Sequence, residues 1–188
     1  MTVITAAHYK GEYAMACDSL HIMGYTKIHT VDENSKVIQI GGNLIGFAGS
    51  VINRQATACV LREILSKHVL SCVEGIYILM LDVHKKLKEE HFLTAQANYE
   101  NPFEDNNSNI LICNEHGIFR VDGERSVLKH EGHWAIGSGM HYALGAMHSY
   151  VNNPDSATHL DGIVERGVKA ACEYSDSCQE PVQLWEGP

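Results

Sequence analysis

The sequence predicts an α+β protein built as a four-layer αββα sandwich, two antiparallel sheets packed face to face with a pair of helices over each outer side. Three observations predict it. Strand-like segments come joined by tight turns, which makes the sheets antiparallel. Helical segments arrive two at a time, so that each pair can cover one sheet. The chain has 188 residues, 45% of them hydrophobic, enough for a substantial core in a single domain over residues 1–188.

The elements follow in order. Residues 3–9 alternate as a strand, Lys10-Gly11-Glu12 turns, and residues 13–17 return. Residues 18–24 read as a loop closed by Gly24. A second hairpin uses residues 36–40 and 44–49 around Gly41-Gly42-Asn43. Ser50 then reads as the N-cap of a helix to about residue 70, with Val51, Ile52, Ala56, Cys59, Val60 and Ile64 on its apolar face. A second helix covers 74–91, apolar nearly all round over 76–81 and solvated over its charged second half, 85–90.

Residues 94–109 are polar, hold Pro102, and read as a loop. Strands resume at 110–113 and 118–121 around Asn114-Glu115-His116-Gly117, then at 126–129 and 134–136. A third helix starts near Gly139, a fourth covers 156–174, and an extended stretch at 181–185 closes the order. No fixed-period repeat, low-complexity tract or domain linker interrupts it.

Charge narrows the function classes. With 14 Lys+Arg against 23 Asp+Glu the net charge is −9, which argues against nucleic acid as the main partner. No apolar run reaches the ~18 residues of a membrane span. The first residues lack the basic-then-apolar pattern of a signal peptide, and the six cysteines form no Cys-x-x-Cys pair, so reduced thiols in a cytoplasmic protein are expected. Twelve histidines are scattered. His130 and His133, or His141 and His148, lack a third ligand at zinc spacing, so no metal and no cofactor is expected.

The sharpest chemical feature is Thr2, which only Met1 precedes. Removal of Met1 would leave a threonine with a free α-amine, whose usual pKa of ~7.7–8.0 keeps part of it neutral near pH 7. That amine can take the proton of the Thr2 hydroxyl, so nucleophile and base sit on one residue. Asp18 ends the second strand, next to the start of the first, and Lys36 opens the third, so the two can form a charged network beside Thr2. Gly49, where strand meets helix, can present a backbone N–H to an oxyanion.

These residues and their spacing resemble the proteasome family of peptidase subunits, in style nearest to the bacterial HslV-type two-ring peptidases. The resemblance runs through Thr2 and Asp18, Lys36-Val37-Ile38-Gln39-Ile40, Phe47-Ala48-Gly49, and Gly137-Ser138-Gly139 followed by Tyr142-Ala143. The loop before Lys36 is about two residues longer than in relatives, and Leu20-His21-Ile22-Met23 is bulkier than the small residues usual there.

The resemblance implies an N-terminal nucleophile hydrolase fold, with Thr2 as nucleophile and its own amine as base. Lys36 and Asp18 would tune and orient it, the Gly49 amide would line the oxyanion hole, and Ser138 would bond near the amine. An acidic residue at the end of the last helix would help to hold the N-terminus. Helix register points to Glu173, with Asp176 competing. The resemblance also implies polypeptide substrates, stacked homo-oligomeric rings and a separate ATP-dependent unfoldase, since this chain has no Gly-x-x-x-x-Gly-Lys-[Ser/Thr] of its own. Three other functions fit less well: an inactive scaffold subunit of the same family, an N-terminal nucleophile amidase for a small amide, and a histidine-rich metal-binding module.

Overall fold

A computed structural model describes residues 2–29, 35–94, 96–98, 101–153 and 159–187. The first hairpin is β1 (Val3–Tyr9) and β2 (Glu12–Asp18). A short hairpin follows, β3 (Leu20–Met23) and β4 (Thr26–His29), then β5 (Val37–Ile40) and β6 (Asn43–Ala48). The first helix pair is α1 (Val51–Ile64) and α2 (Val73–Glu90). Next come β7 (Gln96–Asn98), β8 (Asn101–Asp105), β9 (Asn109–Asn114), β10 (Gly117–Val121), β11 (Val127–His130) and β12 (His133–Gly137). The second pair, α3 (Met140–Val151) and α4 (Leu160–Tyr174), precedes β13 (Val182–Glu186).

Two antiparallel sheets form the centre, ordered β12-β1-β2-β13 and β11-β10-β9-β6-β5. Strand alternation distributes side chains among the layers. On β1, Ile4 and Ala6 point between the sheets, where they meet Met15, Leu44, Leu111 and Ile118. Val3 and Ala7 point the other way, against α3 and α4. Thr5 shares that outer side and donates from Oγ1 to the Val164 carbonyl of α4 at 2.9 Å. On the second sheet Ile45, Phe47, Ile112 and Phe119 pack against α1 and α2. Both faces of both sheets are covered, so strands such as β1 and β9 are apolar nearly throughout. The four αββα layers are those the sequence predicts.

The spacing of the sheets depends on Gly46. A Cβ there would stand 2.7 Å from the Ile4 Cγ2 and 3.1 Å from the Met15 Sδ across the sandwich. Gly46→Ala is expected to destabilise the protein by about 1–3 kcal/mol through overpacking. Urea unfolding checks it, and an unchanged midpoint would show that the sheets can part at no cost.

Three expectations need correction. Residues 18–24 are not a plain loop: Leu20-His21-Ile22-Met23 pairs with Thr26-Lys27-Ile28-His29 around Gly24, whose φ is +61°. Leu20 is fully buried, which anchors this hairpin to the core. Residues 96–98 and 101–105 also pair as a hairpin inside the expected loop.

The buried face of α1 is Arg54, Thr57, Ala58, Val60, Leu61 and Ile64, whereas Val51, Ile52 and Cys59 are exposed. The apolar count misjudged the face because two polar residues lie on its buried side. Arg54 satisfies part of its guanidinium by donating to the Ser35 carbonyl at 2.7 Å. The helix also stops at Ile64 and tightens into a 3-10 turn over Leu65–Lys67. The expected start of the fourth helix, at 156, lies outside the described residues.

The charged end of α2 is solvated and ion-paired, Lys86 with Glu63 and Glu90, and Lys88 with Glu104. No described helix is long and apolar enough to cross a membrane.

Candidate active site

One end of the sandwich brings together Thr2, Asp18, Lys36, Gly49 and Ser138. The pairing of β1 explains why. Val3 sits opposite Gly137 on β12, and Ile4 opposite Cys17 on β2, so the residue before β1 falls between Asp18 and Ser138. Lys36 stands just before β5, and Gly49 just after β6.

Asp18 is the hub, and it is fully buried. Its Oδ1 accepts from the Lys36 Nζ at 2.7 Å, from the Val3 N–H at 2.9 Å and from the Thr2 Oγ1 at 3.3 Å. Its Oδ2 accepts from the N–H groups of Leu20 at 3.2 Å and Gln179 at 3.4 Å. A buried ion pair is tolerable only when its remaining polar atoms are satisfied, and here five donors surround one carboxylate. Lys36 is 2% exposed and reaches Thr2 through the shared Oδ1.

On the other side, the Thr2 backbone nitrogen donates to the Ser138 Oγ at 3.1 Å. The Ser138 hydroxyl lies 2.7 Å from the Ser177 Oγ, which lies 2.7 Å from the Ser175 Oγ. Gly137 has φ +95°, and a Cβ there would collide with the Thr2 carbonyl oxygen. Gly49 has φ +139°, a conformation open to glycine, and its missing side chain leaves room for the Asn107 carbonyl.

Glu173 and Asp176 do not join this group. Both are exposed, and neither bonds to Thr2 or Ser138 among the described residues. Glu173 lies on an exposed part of α4, while the chain after the helix brings buried Ser177 to Ser138. Sequence reasoning missed the serines at 175 and 177. Their only trace is the Ser-Asp-Ser step after the last helix.

Two cavities meet at Thr2 and Gly49. The larger, about 330 Å³, also has Asn109, Arg120, Ile136 and Ser138 in its wall. The smaller, about 180 Å³, has His21, Ile22, Phe47, Val51 and Arg54. The sequence marks His21 only as part of the bulky Leu20-His21-Ile22-Met23 segment, and the two arginines did not stand out, because single polar side chains carry no spacing signal.

His21 is held neutral, its pKa lowered from 6.5 to about 4 by burial first and then by the charges of Lys36 and Arg54, against a weaker opposing pull from Asp18. The unfolded chain therefore binds a proton at His21 before the folded one does. This contribution to stability is complete above pH 6.5 and is lost as pH falls toward 4. Burial shifts His130 and His133 in the same direction. The urea midpoint is expected to fall between about pH 7.5 and pH 4.5, and His21→Gln is expected to shrink that fall. An equal fall in both proteins would discount His21.

The other histidines form no metal centre among the described residues. His130 stacks on Trp134 with ring centroids 3.7 Å apart, and His133 leans toward His148 at 6.4 Å.

The family model described as proteasome subunit matches residues 2–181. The chain belongs to the proteasome family. Solved structures agree. BPH from Thiobacillus denitrificans superposes with a TM-score of 0.87 at 29% identity, covering 98% of this chain and 97% of that one. The same protein in complex with epoxomicin gives 0.82 at 28% identity, with the same coverage. The eukaryotic HslV from Trypanosoma brucei gives 0.75 at 16% identity over 98% of each chain, a likeness of fold. Among curated proteins no sequence matches significantly. As a proteasome-family member, the chain carries the N-terminal nucleophile hydrolase fold of a ring-peptidase family.

Proposed function

We propose that this chain is the active subunit of a self-compartmentalising ring protease, a threonine endopeptidase that cleaves unfolded polypeptides. The observation that carries this reading is the convergence on Thr2 of the buried Asp18–Lys36 pair and of Ser138 at the meeting point of two cavities.

Loss of Met1 turns the Thr2 nitrogen into an amine. The amine takes the hydroxyl proton as Oγ1 attacks a peptide carbonyl, and the Gly49 N–H faces the oxyanion. The amine then returns the proton to the departing amine of the substrate. Water, deprotonated the same way, releases the acyl group and restores Thr2. Lys36 favours the neutral amine and the developing alkoxide through its positive charge. Asp18 holds Lys36 and the first residue of β1, and Ser138, backed by Ser177, holds the Thr2 nitrogen.

Assembly into stacked rings would give exposed apolar side chains on α2 a partner, among them Val73, Tyr77, Ile78 and Leu81. A separate ATP-driven unfoldase would deliver substrate to the chamber. The free thiols fit the reducing cytoplasm.

Intact mass, light scattering and cleavage of unstructured peptides test the proposal together. The expected result is a mass lacking Met1, an oligomer, and cleavage by wild type. Epoxomicin is expected to bind, as it does to BPH. A protein that lacks Met1 and leaves peptides intact but hydrolyses a small amide would support the amidase instead. A monomer would remove the ring.

A further inference from the structure

The larger cavity beside Thr2 contains a cation that neither the fold nor the mechanism above uses. We propose that Arg120 makes this cavity a binding site for an acidic side chain of the substrate, close to the scissile bond. The proposal rests on the peptidase reading and names the substrate chemistry of one side of its cleft.

Strand alternation puts Arg120 in place. On β10, Phe119 and Val121 point out toward α1 and α2, and Ile118 points in between the sheets. Arg120 shares the inward side with Ile118, two residues nearer the end of the sandwich that holds Thr2. There the apolar filling stops and the space opens into the cavity of about 330 Å³ shared by Thr2, Gly49 and Ser138.

A guanidinium between two sheets needs partners. The Arg120 Nε donates to the Asn109 Oδ1 at 3.2 Å. Its two Nη groups have no hydrogen bond or ion pair among the described residues. Among the described residues the wall of the cavity contains no carboxylate: its other polar side chains are Thr2, Asn107, Asn109 and Ser138. The nearby Asp18 gives its Oδ1 to Lys36 and is not part of this wall.

One anchored nitrogen with two free Nη groups is the arrangement that receives a carboxylate by two parallel charge-assisted bonds. In the smaller cavity, beside Ile22, Phe47 and Val51, the cations are engaged: Lys36 pairs with Asp18, and Arg54 donates to the Ser35 carbonyl. A peptide lying over Thr2 and Gly49 therefore meets a guanidinium with open Nη groups on the Arg120 side of the bond to be cut. Aspartate or glutamate fits the Arg120 side.

The test uses internally quenched peptides with an alanine background and a single Glu, Gln or Lys at each position flanking the cut, which mass spectrometry locates. At one position Glu is expected to raise kcat/KM over Gln by about fivefold or more. That ratio is expected to fall to about one in Arg120→Gln, to survive in part in Arg120→Lys, and to turn toward Lys in Arg120→Glu. Equal cleavage of Glu and Gln peptides by wild type at every position overturns the proposal, as does a ratio unchanged in Arg120→Gln.

If the Arg120 variants do not fold, salt decides in wild type. The Glu-to-Gln ratio must drop between about 50 and 500 mM salt, and a constant ratio overturns the proposal. Should wild type cleave no peptide, the peptidase reading fails by itself. Arg120 is then judged by fluorescence anisotropy of labelled Glu and Gln peptides on the Thr2→Ala protein. Tighter binding of the Glu peptide, lost in Thr2→Ala/Arg120→Gln, supports the site, and equal binding overturns it.

Discussion

Thr2→Ala is expected to abolish peptide cleavage, by about 10⁴-fold or more, while the protein still folds. The size follows from the proposed mechanism, in which the hydroxyl would supply both the attacking oxygen and the proton that the amine shuttles. The fold survives because the Thr2 side chain contributes one 3.3 Å bond to Asp18, whose carboxylate keeps Lys36, Val3, Leu20 and Gln179. A stability change within about 1 kcal/mol is expected for one such bond. Thr2→Ser keeps the hydroxyl and is expected to keep part of the activity. Paired urea melts and peptide assays measure both effects. Cleavage by Thr2→Ala at the wild-type rate would sink the mechanism.

Lys36→Met is expected to be the most damaging change to stability, at about 3–5 kcal/mol, and to remove activity as well. Lys36 and Asp18 are 2% and 0% exposed, so removing the ammonium leaves a carboxylate buried without its counter-charge. The remaining backbone donors to Asp18 cannot replace a charge. Thr2 suffers too, because its hydroxyl bonds to the same Oδ1 that Lys36 holds. Asp18→Asn combined with Lys36→Met removes both charges and is expected to recover much of the stability without the activity. A double variant no more stable than Lys36→Met would mean that packing, rather than the unpaired charge, sets the loss.

Much of the fold was legible in the sequence, for a physical reason. Strands buried on both faces read as apolar runs, and hairpin turns such as Lys10-Gly11 mark where they reverse. The small hairpin at Leu20–Met23 and Thr26–His29 was not legible. Its first strand is short, and its second, Thr26-Lys27-Ile28-His29, is exposed throughout and has no burial pattern. The face of α1 was misread because Arg54 and Thr57 are buried through their neighbours, and hydrophobicity does not record hydrogen bonds.

The same division runs through the site. Thr2, Asp18, Lys36 and Gly49 are named by local sequence, each at the end of an element whose limits turn chemistry sets, and Ser138 by the family resemblance. The sequence alone therefore determined the layers and the order of the strands and helices that build the two central sheets and the two helix pairs. Only the tertiary structure decided what surrounds Thr2. Ser177 backs Ser138, Glu173 and Asp176 stay exposed, and His21 and Arg120 face separate cavities. Those outcomes depend on where side chains from distant segments end up, His21 from β3 and Arg120 from β10 among them. Strand period and helix period constrain each segment alone, while contact between segments far apart in the chain is settled only when the two sheets pack.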